Sequence, residues 1–444
     1  MTESIRIIAQ HYDNSTQEVL SEEVLRDSEL AKPSNLKEVG YLHLEQIEIL
    51  QKAQDFKISR QIKLINNDDV CPKCNGAIRS QGSYKSDIHT IFTDHTVEIK
   101  RISCKCGCNL PYTTEGIFGS KIHPDLLKRQ AELGSQQSYE KTATELNYNS
   151  DNKRPVNNHS NIHKAVKRVA NILEMERSKS DEKTPVLIAA ELVANIDGGH
   201  VKARGDARSF EAMVSTVYDP KNIEIVDKNH KHITNKTTVA SAKQDNQATM
   251  KALFKNACKM QGMNKDTKLV CLADGADNCW SIVDSIEGDC KEILRILDWF
   301  HVSMKFKNNS SAIAEEDTEL YDKVKWNLWH GNAEKAIIRL EALCQKTNDA
   351  KSKKKLLKLL QYIENNKNHI VNYEDRMNNN LPYTSNIAES TVNDLINARQ
   401  KNKQRMTWSR EGSHNVLQIR SSIYSKTWDY DWSRVEQNIY KNVA

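Results

Sequence analysis

Residues 185–205, PVLIAAELVANIDGGHVKARG, and residues 267–280, TKLVCLADGADNCW, each run apolar and then stop at an acid followed by glycine. The acids are Asp197 and Asp274. Runs of Val, Ile, Leu and Ala without polar alternation predict strands buried on both faces of a sheet, and the Asp-Gly pairs mark their ends. Between them, SFEAMVSTVYDP (209–220) reads as a hairpin partner of the first run and NKTTVASAK (235–243) as a third strand. QATMKALFKNACKMQG (247–262) reads as a helix, and EILRIL (292–297) as a fifth strand after the one ending at Asp274.

Three strands, a helix and a fourth strand bearing an acid at its C-terminal end is the order of an RNase H-like core. Carboxylates belong at those strand ends for a chemical reason. In-line displacement at a phosphodiester puts negative charge on the attacking and leaving oxygens, and two divalent ions about 4 Å apart stabilise both. Mg²⁺ takes oxygen ligands and keeps several waters, so two or three carboxylates on a rigid sheet suffice. Asp197 and Asp274 are the candidates from the sheet. Glu389, within YTSNIAESTVNDLINARQ (383–400), is the candidate from a helix packed over it. Taken singly each has a bland reading, since Asp-Gly pairs mark turns and acids near helix starts are common caps. Asp277, one helical turn past Asp274, and Asp394 are nearby decoys.

Four short pieces resemble the bacterial insertion-sequence transposases of the Mutator-like group, which have Asp-Asp-Glu (DDE) active sites. They are the DG of Asp197 and Gly198, ADGADNCW (273–280), DWFH (298–301) and SNIAES (385–390). KQRMTWSREGSHNVLQIRSSIYSKTWDYDW (403–432) is similar to the family's C-terminal tail. Each piece is weak alone; their order and spacing over residues 60–435 are specific. The resemblance implies a DNA transposase in which Asp197, Asp274 and Glu389 hold two Mg²⁺ ions, with Mn²⁺ able to substitute. The implied reaction is hydrolytic cleavage at the element's ends, then strand transfer by the freed 3′-hydroxyl. Asp298 and His301 of DWFH would be further active-site residues, although a lone His beside an apolar run is more often a core residue. An all-helical insertion is implied between Asp274 and Glu389, where 304–316, 323–344 and 351–370 are helical in pattern. The lysines of 351–358 suit a DNA grip there. Two other readings stand beside this one: a non-catalytic DNA-binding relative, and an RNase H-like nuclease without strand transfer.

Upstream, the ten cysteines divide unevenly. Cys71, Cys74, Cys104, Cys106 and Cys108 sit in one segment with alternating Ile, Thr and Val between the two knuckles, the pattern of a zinc ribbon with a structural Zn²⁺. Cys71 and Cys74 make a C-x-x-C. Cys104 with Cys106 is the expected second pair because Gly107 closes a knuckle turn, with Cys108 in reserve. HPDLLKRQAELGSQ (123–136), SYEKTATELNY (138–148) and NNHSNIHKAVKRVANILEMER (157–177) predict three helices and a helix-turn-helix. Lys164, Lys167 and Arg168 share a face of the third and suit phosphate or base contacts. Arg399, Lys401, Lys403 and Arg405 are expected to neutralise phosphates beside the site. Residues 1–62 read as helical, with an apolar face in YLHLEQIEILQKAQDF (41–56).

A chain of 444 residues is too long for one core. At 38% hydrophobic and 28% charged residues, it has the composition of a globular protein. No run approaches the roughly 20 apolar residues of a membrane span, and the acidic, polar start lacks a signal-peptide pattern, so a prokaryotic cytoplasmic, nucleoid-associated location is expected. The net charge of +5 is concentrated in basic clusters, a footprint suited to double-stranded DNA. Joining two ends to one target calls for a homodimer or larger assembly on DNA. The expected architecture is multidomain α+β and α/β: N-terminal helical region (1–62), zinc ribbon (63–120), helix-turn-helix (121–180), RNase H-like core (181–305), helical insertion (306–378), and final core helix with tail (379–444).

Overall fold

The computed structural model describes residues 3–67, 70, 71, 73–108, 110–150, 153–179, 188–205, 208–225, 231–385, 390–401 and 406–441. Two compact units emerge, Met1–Val169 with Tyr430–Ala444, and Ala170–Asp429. No helix among the described residues is long and apolar enough to cross a membrane.

In the first unit the start of the chain corrects the helical expectation. It is an antiparallel ribbon of β1 (Glu3–Tyr12) and β2 (Val19–Leu30), and helix α1 begins only at His43 and runs to Asn66. The cause lies in the turn: the Asp13 carboxylate accepts from the amides of Ser15 and Thr16, an Asx turn that reverses the chain. Arg6 then meets Asp27 across the strands, and Arg26 reaches Glu45 and Glu48 on α1. A second hairpin, β3 (Ile78–His89) and β4 (Asp94–Cys104), follows. Its Val97 and Ile99 pack on Ile62 of α1. The short α2 (Thr114–Phe118) leads to α3 (Pro124–Gln136), α4 (Tyr139–Asn147) and α5 (His159–Ser178), close to the three helical segments expected. Pro124 at the start of α3 and Ser138 capping α4 set their limits.

The second unit is built on β5 (Glu191–Lys202), β6 (Ser209–Tyr218), the small hairpin β7 (Ile223–Ile225) and β8 (Lys231–Ile233), β9 (Thr237–Ser241), α6 (Ala248–Met260), β10 (Lys268–Ala273), α7 (Asp277–Asp284) and β11 (Glu292–Leu297). The main sheet has the order β11-β10-β5-β6-β9. β5, β10 and β11 are parallel, while β6 and β9 are antiparallel to their neighbours. Side chains alternate across it. Leu192, Ala194 and Ile196 join Leu253, Phe254 and Ile282 of α6 and α7 on one face, whereas Val193, Val270 and Ile296 join Tyr373 on the other. Each such large side chain buried contributes about 2–3 kcal/mol.

Helices α8 (Trp299–Asn309), α9 (Thr318–Trp329), α10 (Ala333–Lys346), α11 (Ala350–Asn366) and α12 (Tyr373–Asn378) come next. Val302, Phe306, Val324, Leu340, Leu356 and Ile363 give them a core of their own. After α13 (Ser390–Val392) the chain makes a π-helical turn, Asn393–Asn397, and continues through α14 (Ala398–Gln400) to α15 (Arg410–Tyr424), which packs on β9, and α16 (Trp428–Ile439).

Candidate active site and cysteine centre

The parallel register pairs Ile196 with Ala273 and Ala273 with Leu297. The next residues are Asp197, Asp274 and Asp298, so three acids stand side by side at a strand spacing of roughly 4.8 Å; β10 and β11 end just before theirs, but, against the expectation of a strand end at Asp197, β5 runs on to Lys202 against β6. The in-register parallel pairing of the three strands produces this alignment.

The acids differ in what holds them. Asp197 Oδ1 accepts from the Gly198 amide at 2.7 Å, and Oδ2 faces His301 Nε2 at 3.9 Å. Burial raises its pKa; His301 and the Gly198 amide pull it down, and the charges of Asp274 and Asp298 push it up. Asp274 Oδ1 accepts from the Ala276 amide at 2.9 Å and from the Cys279 thiol at 3.5 Å. Burial keeps that thiol protonated. Asp298 is 1% exposed and caps α8 through the Phe300 amide. It also accepts from the Ser385 amide at 2.9 Å and the Ser385 hydroxyl, and lies 3.6 Å from His301 Nε2. With both oxygens engaged, Asp298 is an organising group, and His301 Nε2 lies between it and Asp197.

A small cavity of about 30 Å³ lies among Asp197, Asp298, His301, Ser385 and Thr391. The Gly198–Gly199 pair is explained by close approach. A Cβ at 198 would meet Glu211 Oε1 at 2.4 Å, and one at 199 would meet Ile396 Cδ1 at 2.6 Å. Glu211 is fixed by Asn278 Nδ2 at 2.6 Å. The sequence assigns no role to Glu211, Cys279 or Ser385; the Gly-Gly pair is its one signal of crowding. Asp277 is exposed in the first turn of α7, as suits a decoy. Glu389, Lys403 and Arg405 lie outside the described residues. Among the described residues, the one group of three or more His, Cys, Asp or Glu side chains close enough to share an ion is a set of cysteines.

Of the basic candidates, Lys164 and Arg168 are exposed on α5 and Lys167 is half-buried. Arg168 spends one donor on the Gly119 carbonyl at 3.2 Å. Lys401 is half-buried, lining a cleft with His200, Lys202 and Arg208. Arg399 corrects the expectation: at 0% exposure it lies over the Trp408 ring, 4.7 Å from its centroid, and cannot reach a phosphate. Its guanidinium packs inward because α14 turns that face toward Trp408.

All five clustered cysteines converge in the first unit. Sγ of Cys71 lies 3.3 Å from that of Cys108 and 3.9 Å from that of Cys106, and Cys74 Sγ lies 3.4 Å from Cys104 Sγ. Cys71, Cys104, Cys106 and Cys108 offer sulfurs all within 4.8 Å of one another, a set able to hold a soft tetrahedral ion such as zinc. Cys108, the reserve in the sequence, is thus inside the set, and Cys74 stands beside it. The Lys73 amide leads in drawing Cys71 down to about 6, and the Cys108 amide leads in lowering Cys106, whereas the hydrogen-bonded sulfurs of Cys106 and Cys71 push Cys108 up to about 12. The knuckle turns are closed by Asn75 N to Cys71 O at 2.8 Å and Gly107 N to Cys104 O at 3.1 Å, with Gly107 at φ +72°.

Compared with family models and with curated proteins, the chain matches none.

Proposed function

We propose that this chain is a DNA transposase of the DDE type with an RNase H-like catalytic core, related to the Mutator-like insertion-sequence enzymes. The observation that carries the reading is the placement of Asp197 and Asp274 on neighbouring parallel strands, each directly after the last β5–β10 pair, in a five-stranded sheet ordered β11-β10-β5-β6-β9. That strand order and those acids suit phosphodiester chemistry assisted by divalent ions.

Carboxylates are the oxygen donors that Mg²⁺ takes. Asp197 is a partly buried carboxyl whose pKa is raised by burial, with the charges of Asp274 and Asp298 adding to the rise, an imbalance that a bound cation would relieve. Asp197 and Asp274 would hold the metal, with Glu389 as third ligand. When bound, two such ions supply Lewis-acid stabilisation of the attacking and leaving oxygens. The protein's own contribution is positional. His301 stands between Asp197 and Asp298, and Ser385, tied to Asp298, anchors the chain four residues before Glu389. Lys202, Arg208 and Lys401 line a cleft suited to the phosphates of a bound strand. The cysteine centre serves as a structural zinc ribbon, and α3–α5 as the reader of the element's ends.

The test is cleavage of a labelled element end in Mg²⁺, comparing wild type with Asp274→Ala. Nicking by the wild type, lost by at least about 10³-fold in the variant while end binding persists, is the expected result. Binding without nicking across Mg²⁺ and Mn²⁺ concentrations would favour a non-catalytic DNA-binding protein. Joining of the cut end to a plasmid separates a transposase from a nuclease.

A further inference from the structure

The turn after Asp274 is held from above by helix α11. Tyr362 Oη donates to the Asp274 carbonyl at 2.8 Å. One turn further along, the buried Asn366 side chain lies so close to Gly275 that a Cβ there would meet its Oδ1 at 2.7 Å, and Gly275 has φ +89°. Asn366 Nδ2 donates to the Tyr362 carbonyl at 3.0 Å, and Trp280 Nε1 donates to Asn366 Oδ1 at 3.4 Å. The Tyr362 ring also carries the Lys305 ammonium, 4.1 Å from its centroid, one turn along α8 from His301.

We infer that Tyr362 is a positioning residue for the metal site, acting through the backbone of Asp274. This rests on the metal-site reading above and extends it to the helical segment, which becomes part of the site's support as well as a separate body beside it. The geometry gives the reason. A left-handed glycine directly after a metal-binding aspartate leaves that carboxylate's aim dependent on whatever fixes the turn. Here the fixing groups, Tyr362 and Asn366, come from a different layer of the unit. Lys351, Lys355 and Lys358 share the Tyr362 stripe of α11, at spacings of four, seven and eleven residues. A polyanion on that stripe would therefore press on the helix that sets Asp274.

The test uses the full-length, zinc-loaded chain and Mn²⁺ as the probe. Mn²⁺ binding is measured by calorimetry for wild type, Asp274→Ala, Tyr362→Phe and Gly275→Ala, alongside melting temperature. Tyr362→Phe keeps the ring and removes only the hydroxyl. It is expected to bind Mn²⁺ about tenfold more weakly at unchanged stoichiometry, as loss of an outer support does, with a melting temperature close to wild type. In the cleavage assay kcat falls and KM for DNA holds. Gly275→Ala, which disturbs the same turn from the other side, is expected to weaken Mn²⁺ binding as well. Equal Mn²⁺ affinity in Tyr362→Phe and wild type overturns the inference, as does a loss that merely tracks a fall in melting temperature. Absence of any Asp274-dependent Mn²⁺ binding by the wild type overturns the metal-site reading itself, and this inference with it.

Discussion

Ser385 donates twice to Asp298, through its amide at 2.9 Å and through its hydroxyl, across a separation of 87 residues. The pair ties the far side of the helical segment to the end of β11. Removing the acceptor leaves the Ser385 and Phe300 amides without it in a site where Asp298 is 1% exposed. Asp298→Ala is therefore expected to cost about 3 kcal/mol and Ser385→Ala about 1 kcal/mol. Urea denaturation monitored by tryptophan fluorescence checks this; a wild-type midpoint in Asp298→Ala would remove the tie from the account.

Asp197 offers the opposite sign. Its carboxyl pKa is raised by burial, so the folded state binds a proton more readily than the unfolded chain and loses stability as pH rises through that window. Asp197→Asn removes the desolvated charge. Without divalent metal at neutral pH it is expected to melt on the order of 2 °C higher than wild type, an advantage that saturating Mn²⁺ erases. A lower melting temperature under metal-free conditions would contradict it.

Glu174 provides a pH signature. It accepts from His414 Nε2 at 3.0 Å and pairs with Lys243, and these contacts, working against burial, hold its pKa at about 2. The unfolded value is about 4.3. A depressed carboxylate stabilises the fold above the unfolded value and loses that contribution as pH falls toward the folded one. The gap in melting temperature between wild type and Glu174→Gln should thus be full near pH 6 and close progressively below about pH 4.3. A gap that widens in acid would point to another group.

Metal content tests the cysteine set. Wild-type protein is expected to carry one zinc per chain by elemental analysis, and Cys71→Ser and Cys108→Ser to lose it, with the β3–β4 hairpin loosening as zinc leaves. Cys74→Ser is expected to retain the ion, because its sulfur lies outside the group of four. Retention in Cys108→Ser with loss in Cys74→Ser would restore the sequence's first choice of ligands.

Arg399 and Lys164 should separate under salt. Arg399→Ala is expected to destabilise by about 2–3 kcal/mol through lost packing against Trp408, leaving the salt dependence of DNA binding unchanged. Lys164→Ala should leave stability alone and reduce the slope of log affinity against log salt by about 1. Anisotropy titrations at several salt concentrations distinguish the two.

The sheet was legible because its strands are apolar on both faces, so KLVCLA at 268–273 had no competing helical reading. The three helices from Pro124 to Ser178 were legible through their caps and apolar periodicity. The first strands were not, since β1 and β2 are largely exposed and their alternation is broken by register shifts near Ile8 and Tyr12. Asp274 announced itself by strand-end position, whereas the Asp-Gly pair at Asp197 misled about where β5 ends, since that strand continues to Lys202. Tyr362 and Ser385 gave no such signal, because each acts on an acid far away in the chain. Arg399 misled because a basic run says nothing about which member faces inward.

The close packing of Val392 and Ile396 on Gly199 carries a consequence for biosynthesis. β5, β10 and β11 leave the ribosome before the helices from Trp299 to Asn378, and the residues that wall in Gly199 leave after them. At about 5–20 residues per second the nascent sheet waits roughly 5–20 seconds for its last wall. Until then the part of the sheet that bears Asp197 and Gly199 lacks that wall. The wall around Gly199 is therefore among the last parts of this sheet's surroundings to be made.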